Sequence, residues 1–206
     1  MTIAAHIAPA KTQLLMSALK LVRESGYDAT TVDELCREAG VSKGAFFHHF
    51  ASKESLAVTA TKFWTEFTNQ VFASADYHKF EDPLDQLIGY VDFRIQLLEG
   101  RSLAQCTCFL GTMAQEKFET SPAIRDACFI GIHTHAKDVS IMIAAAKARH
   151  APKATWTAES LALYTQTVIQ GAFVLAKAKN DVTLAADMIK HLRRYIELLF
   201  DRAKED

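Results

Sequence analysis

Ser42 and Lys43 set a hydroxyl beside an ammonium, next to two small residues, Gly44 and Ala45, and just ahead of Phe47, His48 and His49. These side chains donate hydrogen bonds and let another surface come close to a backbone, which is binding chemistry. His48 and His49 do not form a metal site, because adjacent helical side chains point about 100° apart. The cysteines, Cys36, Cys106, Cys108 and Cys128, show no CxxC spacing. On a helix Cys106 and Cys108 fall on nearly opposite faces, as do His133 and His135, so neither pair holds zinc. No Glu-x-x-His pair, P-loop, GxGxxG or HExxH run occurs. The expectation is therefore no enzyme, no metal and no cofactor, with reduced cysteines in a cytoplasmic protein.

The elements that must carry these residues are helices. Apolar residues recur at helical spacing, and no stretch alternates with period two. Leu14, Ala18, Leu21 and Val22 share one face of a first helix that Gly26 ends. Thr31 and Glu34 form a capping box for a second helix, stopped by Gly40. Ser42 caps a third, from Lys43 to about His48, and Ser52 a fourth, from Lys53 to about Ala75. Asp82-Pro83 and Ser121-Pro122 open helices to about Glu99 and Arg149, with a shorter one near Cys108 to Phe118. Thr157 opens a helix to Lys179, and Asp181 or Thr183 a last one ending near Arg202. The fold class is all-α, with about nine helices.

Helix, glycine turn, short helix, aromatic plug and new helix, from Thr30 to Leu56 (TTVDELCREAGVSKGAFFHHFASKESL), is the order of a helix-turn-helix. In that motif the second helix lies in the DNA major groove. Lys43 at its leading edge can bond guanine O6 and N7 or a phosphate. The stretch from Thr12 to about Phe67 resembles the N-terminal domain of the TetR family of regulators. The resemblance implies that Thr30 and Thr31 sit near a phosphate, and that Ser42, Lys43, Gly44 and Ala45 face the groove. It implies that Phe47, His48 and His49 border the DNA backbone, that Lys53 grips a phosphate, and that Phe46 and Phe50 are core. Many members carry tyrosine where this chain has Phe47, which lacks the hydroxyl for the usual phosphate bond, and His48 or His49 is a candidate to replace it.

The same resemblance divides the chain into a DNA-binding domain at residues 8–64 and a helical effector-binding and dimerisation domain at residues 65–206. The helix from Thr157 to Lys179 is apolar on two faces, with Leu161, Thr165, Val168, Ala172 and Leu175 on one and Ala162, Ile169, Phe173 and Ala176 on the other. Gly171 in its middle points to a close helix approach. With Leu184, Met188, Leu192, Tyr195, Ile196 and Leu199 of the last helix, it is expected to form a homodimer interface, helices 157–179 and 182–202, matching a palindromic operator. Expected effector-pocket residues are Trp64, Phe67, Tyr90, Phe93, Cys108, Met113, Phe129 and His133, suited to a hydrophobic ligand. CFLGTMAQE, starting at Cys108, and QGAFVLAK, ending at Lys177, resemble a subgroup of the family. They suggest Cys108 as an electrophile or oxidant sensor beside Lys177; a structural cysteine is the alternative.

The bulk properties fit this reading without announcing it. The 206 residues are half hydrophobic and carry a net charge of −1. Up to residue 53 the cations Lys11, Lys20, Arg23, Arg37, Lys43 and Lys53 barely outnumber the acids. Any DNA binding must come from local placement of a few donors. No signal peptide and no membrane span is expected, because no apolar run reaches about 18 residues. A ligand-responsive repressor is the expected function; the alternative is an interaction protein of the same fold that does not bind an operator.

Overall fold

A helix leaves its first amides unpaired, and short polar side chains placed just before it accept from them. The computed structural model, which describes residues 9–202, shows this at nearly every expected start. Ala8, where the first domain is expected to begin, the segment before it and residues 203–206 lie outside the described residues. The helices are α1 (Pro9–Ser25), α2 (Val32–Ala39), α3 (Lys43–His49), α4 (Lys53–Ala73), α5 (Pro83–Gln96), α6 (Leu103–Cys106), α7 (Phe109–Lys117), α8 (Pro122–His150), α9 (Ala158–Lys179) and α10 (Val182–Leu199). Thr31 and Glu34 close a full capping box on α2. Ser42, Asp82, Thr157 and Asp181 accept from first-turn amides of α3, α5, α9 and α10. The Ser52 and Ser121 hydroxyls do the same for α4 and α8.

Among the described residues there are ten helices where about nine are expected, with a 3₁₀ turn at Asp76–Lys79 besides. The additions are single turns, too short to show an apolar period. The last helix stops at Leu199, not near Arg202. Among the described residues there is no strand, and no helix is long and apolar enough to cross a membrane.

Packing divides the chain differently from a single cut at residues 64 and 65. The described residues of Met1–Val71 form one compact unit with Thr107–Ile132, and Phe72–Cys106 forms another with the described part of His133–Asp206. In the first unit Leu14, Ala18 and Val22 of α1, Leu35 of α2, Phe46 of α3, Leu56 and Ala60 of α4, and Phe109 and Met113 of α7 share one buried core. Phe46 is fully covered and Phe50 nearly so, as expected.

In the second unit α9 buries Leu161, Ala162, Thr165, Ile169, Ala172, Phe173 and Ala176 together. The two faces expected from the sequence thus merge into one broad buried face. Leu175, assigned to the first of them, stands exposed with Leu163, Tyr164 and Val174. Residues at 161, 165 and 172 lie close enough around the helix to 162, 169 and 176 to share one side, whereas 164, 171 and 175 lie opposite. In α10, Ala185, Ile189, Leu192 and Ile196 form the inward row.

One cluster in this unit is polar. Tyr90, Arg94, His135 and Gln166 converge from α5, α8 and α9 among the rings of Phe72, Tyr77 and Phe93. Desolvation first, and the Arg94 cation second, hold the His135 imidazole well below the usual histidine pKa of 6.5. The folded protein therefore keeps His135 neutral in a range where the unfolded chain protonates it. Folding stability must fall as pH drops below about 6.5, until the lower folded value is passed, by at most about 1.4 kcal/mol per pH unit from this group. Urea melts between pH 7.5 and 5 are expected to show this loss, and His135→Gln to flatten it; an equal slope in both assigns the loss to other groups.

Candidate nucleic-acid interface

The loop Gly26–Thr31 sets where α2 begins, and its backbone is held from both sides. Gly26 takes φ +92°, a left-handed value that suits glycine, and its N–H still closes onto the Val22 carbonyl at 2.9 Å. A Cβ there would meet Glu116 Oε1 at 2.7 Å. The Glu116 carboxylate, near the end of α7, accepts the Tyr27 and Asp28 amides at 3.1 and 3.0 Å. Lys117 bonds the Asp28 carboxylate at 3.1 Å. On the other side, the Lys53 ammonium donates to the carbonyls of Tyr27 and Thr30 at 3.0 and 2.9 Å, and lies 4.1 Å from the Tyr27 ring centre. Desolvation is the main cause lowering the Lys53 pKa.

From this loop the motif proceeds through α2 to Gly40, whose φ of 64° makes the tight turn. Ser42 then caps α3, accepting the Ala45 amide at 3.1 Å. With Phe46 and Phe50 turned inward, Lys43, Gly44, Phe47 and His48 are left exposed, at the spacing of one helix face. Phe47 is 53 % exposed, a large apolar ring left outside the core that its neighbours Phe46 and Phe50 enter. Ala45 and His49 flank this face, half-buried. Gly44 has no close neighbour; a Cβ there would meet only Ser42 Oγ, at 3.7 Å. The face is smooth at its leading edge for a reason other than internal packing.

The expected contact set divides. Ser42, Lys43, Gly44, Phe47 and His48 stand together on the exposed side, with Thr31 exposed at the start of α2. Thr30 does not join them: it is 3 % exposed and its hydroxyl donates to the Gly26 carbonyl at 2.7 Å. Lys53 spends two of its three N–H groups on the loop carbonyls. Lys43 is paired with Asp33 across the turn at 2.9 Å, and this bond is the main cause raising its pKa. Both partners are well exposed, so solvent and salt screen the pair. Asp33 and Glu116 are the residues that sequence reading missed. Asp33 sits ten positions from Lys43 and Glu116 about ninety from the loop, and no local pattern reports such pairings.

The residues expected to line one pocket are spread over both units. In the first, Trp64 stacks toward Phe109, Met113 is fully buried, and Phe67 and Phe129 are exposed. In the second, Tyr90 is fully buried, Phe93 packs on Phe72, and His133 is exposed. Cys108 belongs to the first unit and caps α7, its sulfur accepting the Gly111 amide at 3.4 Å. Lys177 belongs to the second and is exposed. Burial, with neighbouring Cys108 adding to it, pushes the Cys128 thiol up to about 12. A cleft of about 810 Å³ between α5 and α10, lined by residues such as Gly89, Asp92, Arg193 and Arg194, contains none of the expected lining residues. No cluster of potential metal ligands occurs among the described residues.

Glu116 carries the loop geometry, so its loss has a readable cost. Glu116→Ala is expected to destabilise the protein by about 1–3 kcal/mol and to speed hydrogen exchange at the Tyr27 and Asp28 amides. Unchanged exchange at both amides would show that the loop holds its form without the carboxylate.

Comparison with known proteins bears on the same segment. Residues 14–60 match the family described as bacterial regulatory proteins, tetR family. The chain is 39 % identical over 54 residues to the uncharacterized HTH-type transcriptional regulator YerO of Bacillus subtilis, a match covering 26 % of this chain and 19 % of that protein. It is 43 % identical over 51 residues to the HTH-type transcriptional repressor Rv1474c of Mycobacterium tuberculosis, covering 25 % of this chain and 27 % of that one. The matched region therefore spans under a third of either relative. The fold extends further. The regulatory protein TetR of Rhodobacter sphaeroides superposes with a TM-score of 0.81 at 20 % identity, over 91 % of this chain and 99 % of that one. A TetR transcriptional regulator of Chloroflexus aurantiacus gives 0.77 at 25 % identity, over 91 % and 93 %. The helix-turn-helix segment thus matches the tetR family of bacterial regulatory proteins, and the fold of the chain beyond it is similar to that of solved TetR regulators.

Proposed function

We propose that this chain is a DNA-binding transcriptional regulator, a homodimer released from a palindromic operator by a small effector. The observation that carries the reading is the outward face of α3, where Lys43, Gly44, Phe47 and His48 stand clear of a core that Phe46 and Phe50 enter. A seven-residue helix capped by Ser42 presents its N-terminal turn, the part that reads base edges in this motif. Rv1474c is named a repressor, which favours repression as the mode. Thr30 is left out of the proposed contacts, and Lys53 acts chiefly by holding the loop.

Mobility-shift titration against the DNA upstream of the chain's own gene tests this. Lys43→Ala is expected to lose about 10- to 100-fold in affinity, as for one lost base contact. Asp33→Asn, which frees Lys43 and removes a carboxylate, is expected to gain up to about fivefold. Wild-type failure to bind any upstream DNA would favour an interaction protein of the same fold. Release by N-ethylmaleimide in wild type but not in Cys108→Ser would make Cys108 the effector's target; equal release would reduce it to a structural cap.

A second copy is proposed to cover the outer face of α9 and α10. Tyr164 and Tyr195, both exposed, touch with ring centres 5.1 Å apart and join the two helices into one apolar surface. Leu175 extends it, and Gly171 lies open, with nothing within 4 Å of a Cβ. Leucine at that position fits the single chain and improves helix propensity, yet would push a partner helix away. Gly171→Leu is therefore expected to keep or raise the melting temperature while sedimentation shifts from dimer to monomer. A dimer of unchanged affinity would exclude this face.

A further inference from the structure

The polar cluster of the second unit has more donors than acceptors and one positive charge too many. The Arg94 Nε donates to Tyr90 Oη at 3.1 Å, and its Nη2 lies 2.6 Å from His135 Nε2. Arginine can only donate, so Nε2 accepts and the imidazole proton sits on Nδ1. The Tyr90 hydroxyl also lies 2.9 Å from that Nε2, and the Gln166 amide donates to Tyr90 Oη at 3.4 Å. Two donors thus compete for the single lone pair of Nε2. Of the five N–H groups of Arg94, two are engaged, and no carboxylate among the described residues pairs with it. By contrast, Arg149 pairs with Asp82, Arg193 with Asp92 and Glu197, and Arg202 with Asp85.

The surroundings define what would complete it. Arg94 lies 4.4 Å from the Phe72 ring centre, Phe93 packs on that ring, and Tyr77 packs on Phe93. Tyr90 and Gln166 are buried, while Arg94 keeps part of its surface open. A planar guanidinium with free N–H groups matches the two oxygens of a carboxylate, and a single positive charge matches a single negative one. Aromatic walls suit an apolar body behind that group.

We propose that Arg94, with Tyr90 and Gln166 beside it, is the acid-binding end of the effector site, and that the effector is a small monocarboxylic acid with an apolar body. The carboxylate accepts hydrogen bonds from the free Arg94 N–H groups and from the Tyr90 O–H, which relieves the competition at His135. This rests on the reading of the chain as ligand-responsive, but its test needs no DNA. Titration calorimetry of the full chain with benzoate, phenylacetate, hexanoate and octanoate is expected to find binding by at least one acid. The matching neutral amide, or inorganic phosphate, is expected to bind at least tenfold more weakly. Arg94→Gln is expected to lose at least tenfold, and Arg94→Lys, which keeps the charge without the fork, to fall between. Should Arg94→Gln fold poorly by circular dichroism, the amide and phosphate arms on wild type still decide. No binding by any of the acids at 10 mM (roughly the weakest useful affinity), equal binding of acid and amide, or equal binding to a folded Arg94→Gln, overturns the proposal. Failure there leaves operator binding, read separately by mobility shift, untouched.

Discussion

Two opposite charges hold the loop between α1 and α2, and the recognition motif depends on them. Glu116 takes the loop's amides and Lys53 its carbonyls. Backbone groups in a non-repeating loop have no ladder to satisfy them, and each left unpaired when partly buried costs as much as a lost hydrogen bond. Here one carboxylate and one ammonium settle both sets, and Tyr27 fills the space between. The start of α2 follows from this loop through the Thr31 capping box. The turn at Gly40 and the direction of α3 follow in sequence. Because Glu116 lies at the end of α7 while Cys108 caps its beginning, one nine-residue helix carries both the loop's acceptor and the thiol. A displacement of α7 along its axis cannot leave the Tyr27 and Asp28 amides where they are.

The exposed face of α3 is modestly charged, and the structure lowers its free charge further. Lys43 is partnered at rest by Asp33, so its charge is partly spent before any encounter. That pair is exposed and weak, hence readily exchanged for a phosphate or a base. The cost is small but falls on every encounter, so a single motif of this kind binds weakly. Two motifs fixed by one dimer interface add their contacts without paying for a second association. In the proposed dimer, the large apolar surface on α9 and α10 would be the complement of a small and nearly neutral α3 face.

How much of this could be read from the chain depends on range. The capping box of α2, the other N-caps, the glycine turn and the inward placement of Phe46 and Phe50 follow from neighbours within a few residues, and these expectations agree with the structure. That α9 is apolar well around its circumference was legible, but its division into two buried faces was not: one broad side is buried, and Leu163, Tyr164, Val174 and Leu175 stand exposed. Leu161 and Ala162 are adjacent in sequence and both inward, which a stripe drawn at every third or fourth residue separates. Lys53 shows the limit most clearly. Its family position suggested an outward grip, whereas its nearest carbonyls, at Tyr27 and Thr30, come from a loop more than twenty residues away. Thr30 and Thr31 look alike in sequence, yet one hydroxyl closes back on Gly26 and the other caps α2. The expected pocket residues were chosen for being aromatic, a property that core and binding wall share, and they scatter between the units.

The charged groups around the two clusters obey different arithmetic. At the loop, Glu116, Lys53, Lys117 and Asp28 balance sign for sign, and each is bonded to a partner or to backbone. That balance is what a structural cluster needs, because a charge taken out of water without compensation costs several kcal/mol (order of magnitude). Around Arg94 the balance is missing: a cation faces a neutral imidazole, a phenol and an amide, with aromatic rings behind them. Replacing a buried charged group by an apolar one of similar volume is often neutral or stabilising, so stability alone does not account for an unbalanced arginine. Partial exposure and stacking on Phe72 make the cation tolerable, and the N–H groups not engaged by Tyr90 or His135 are the donors that an anionic acceptor would satisfy.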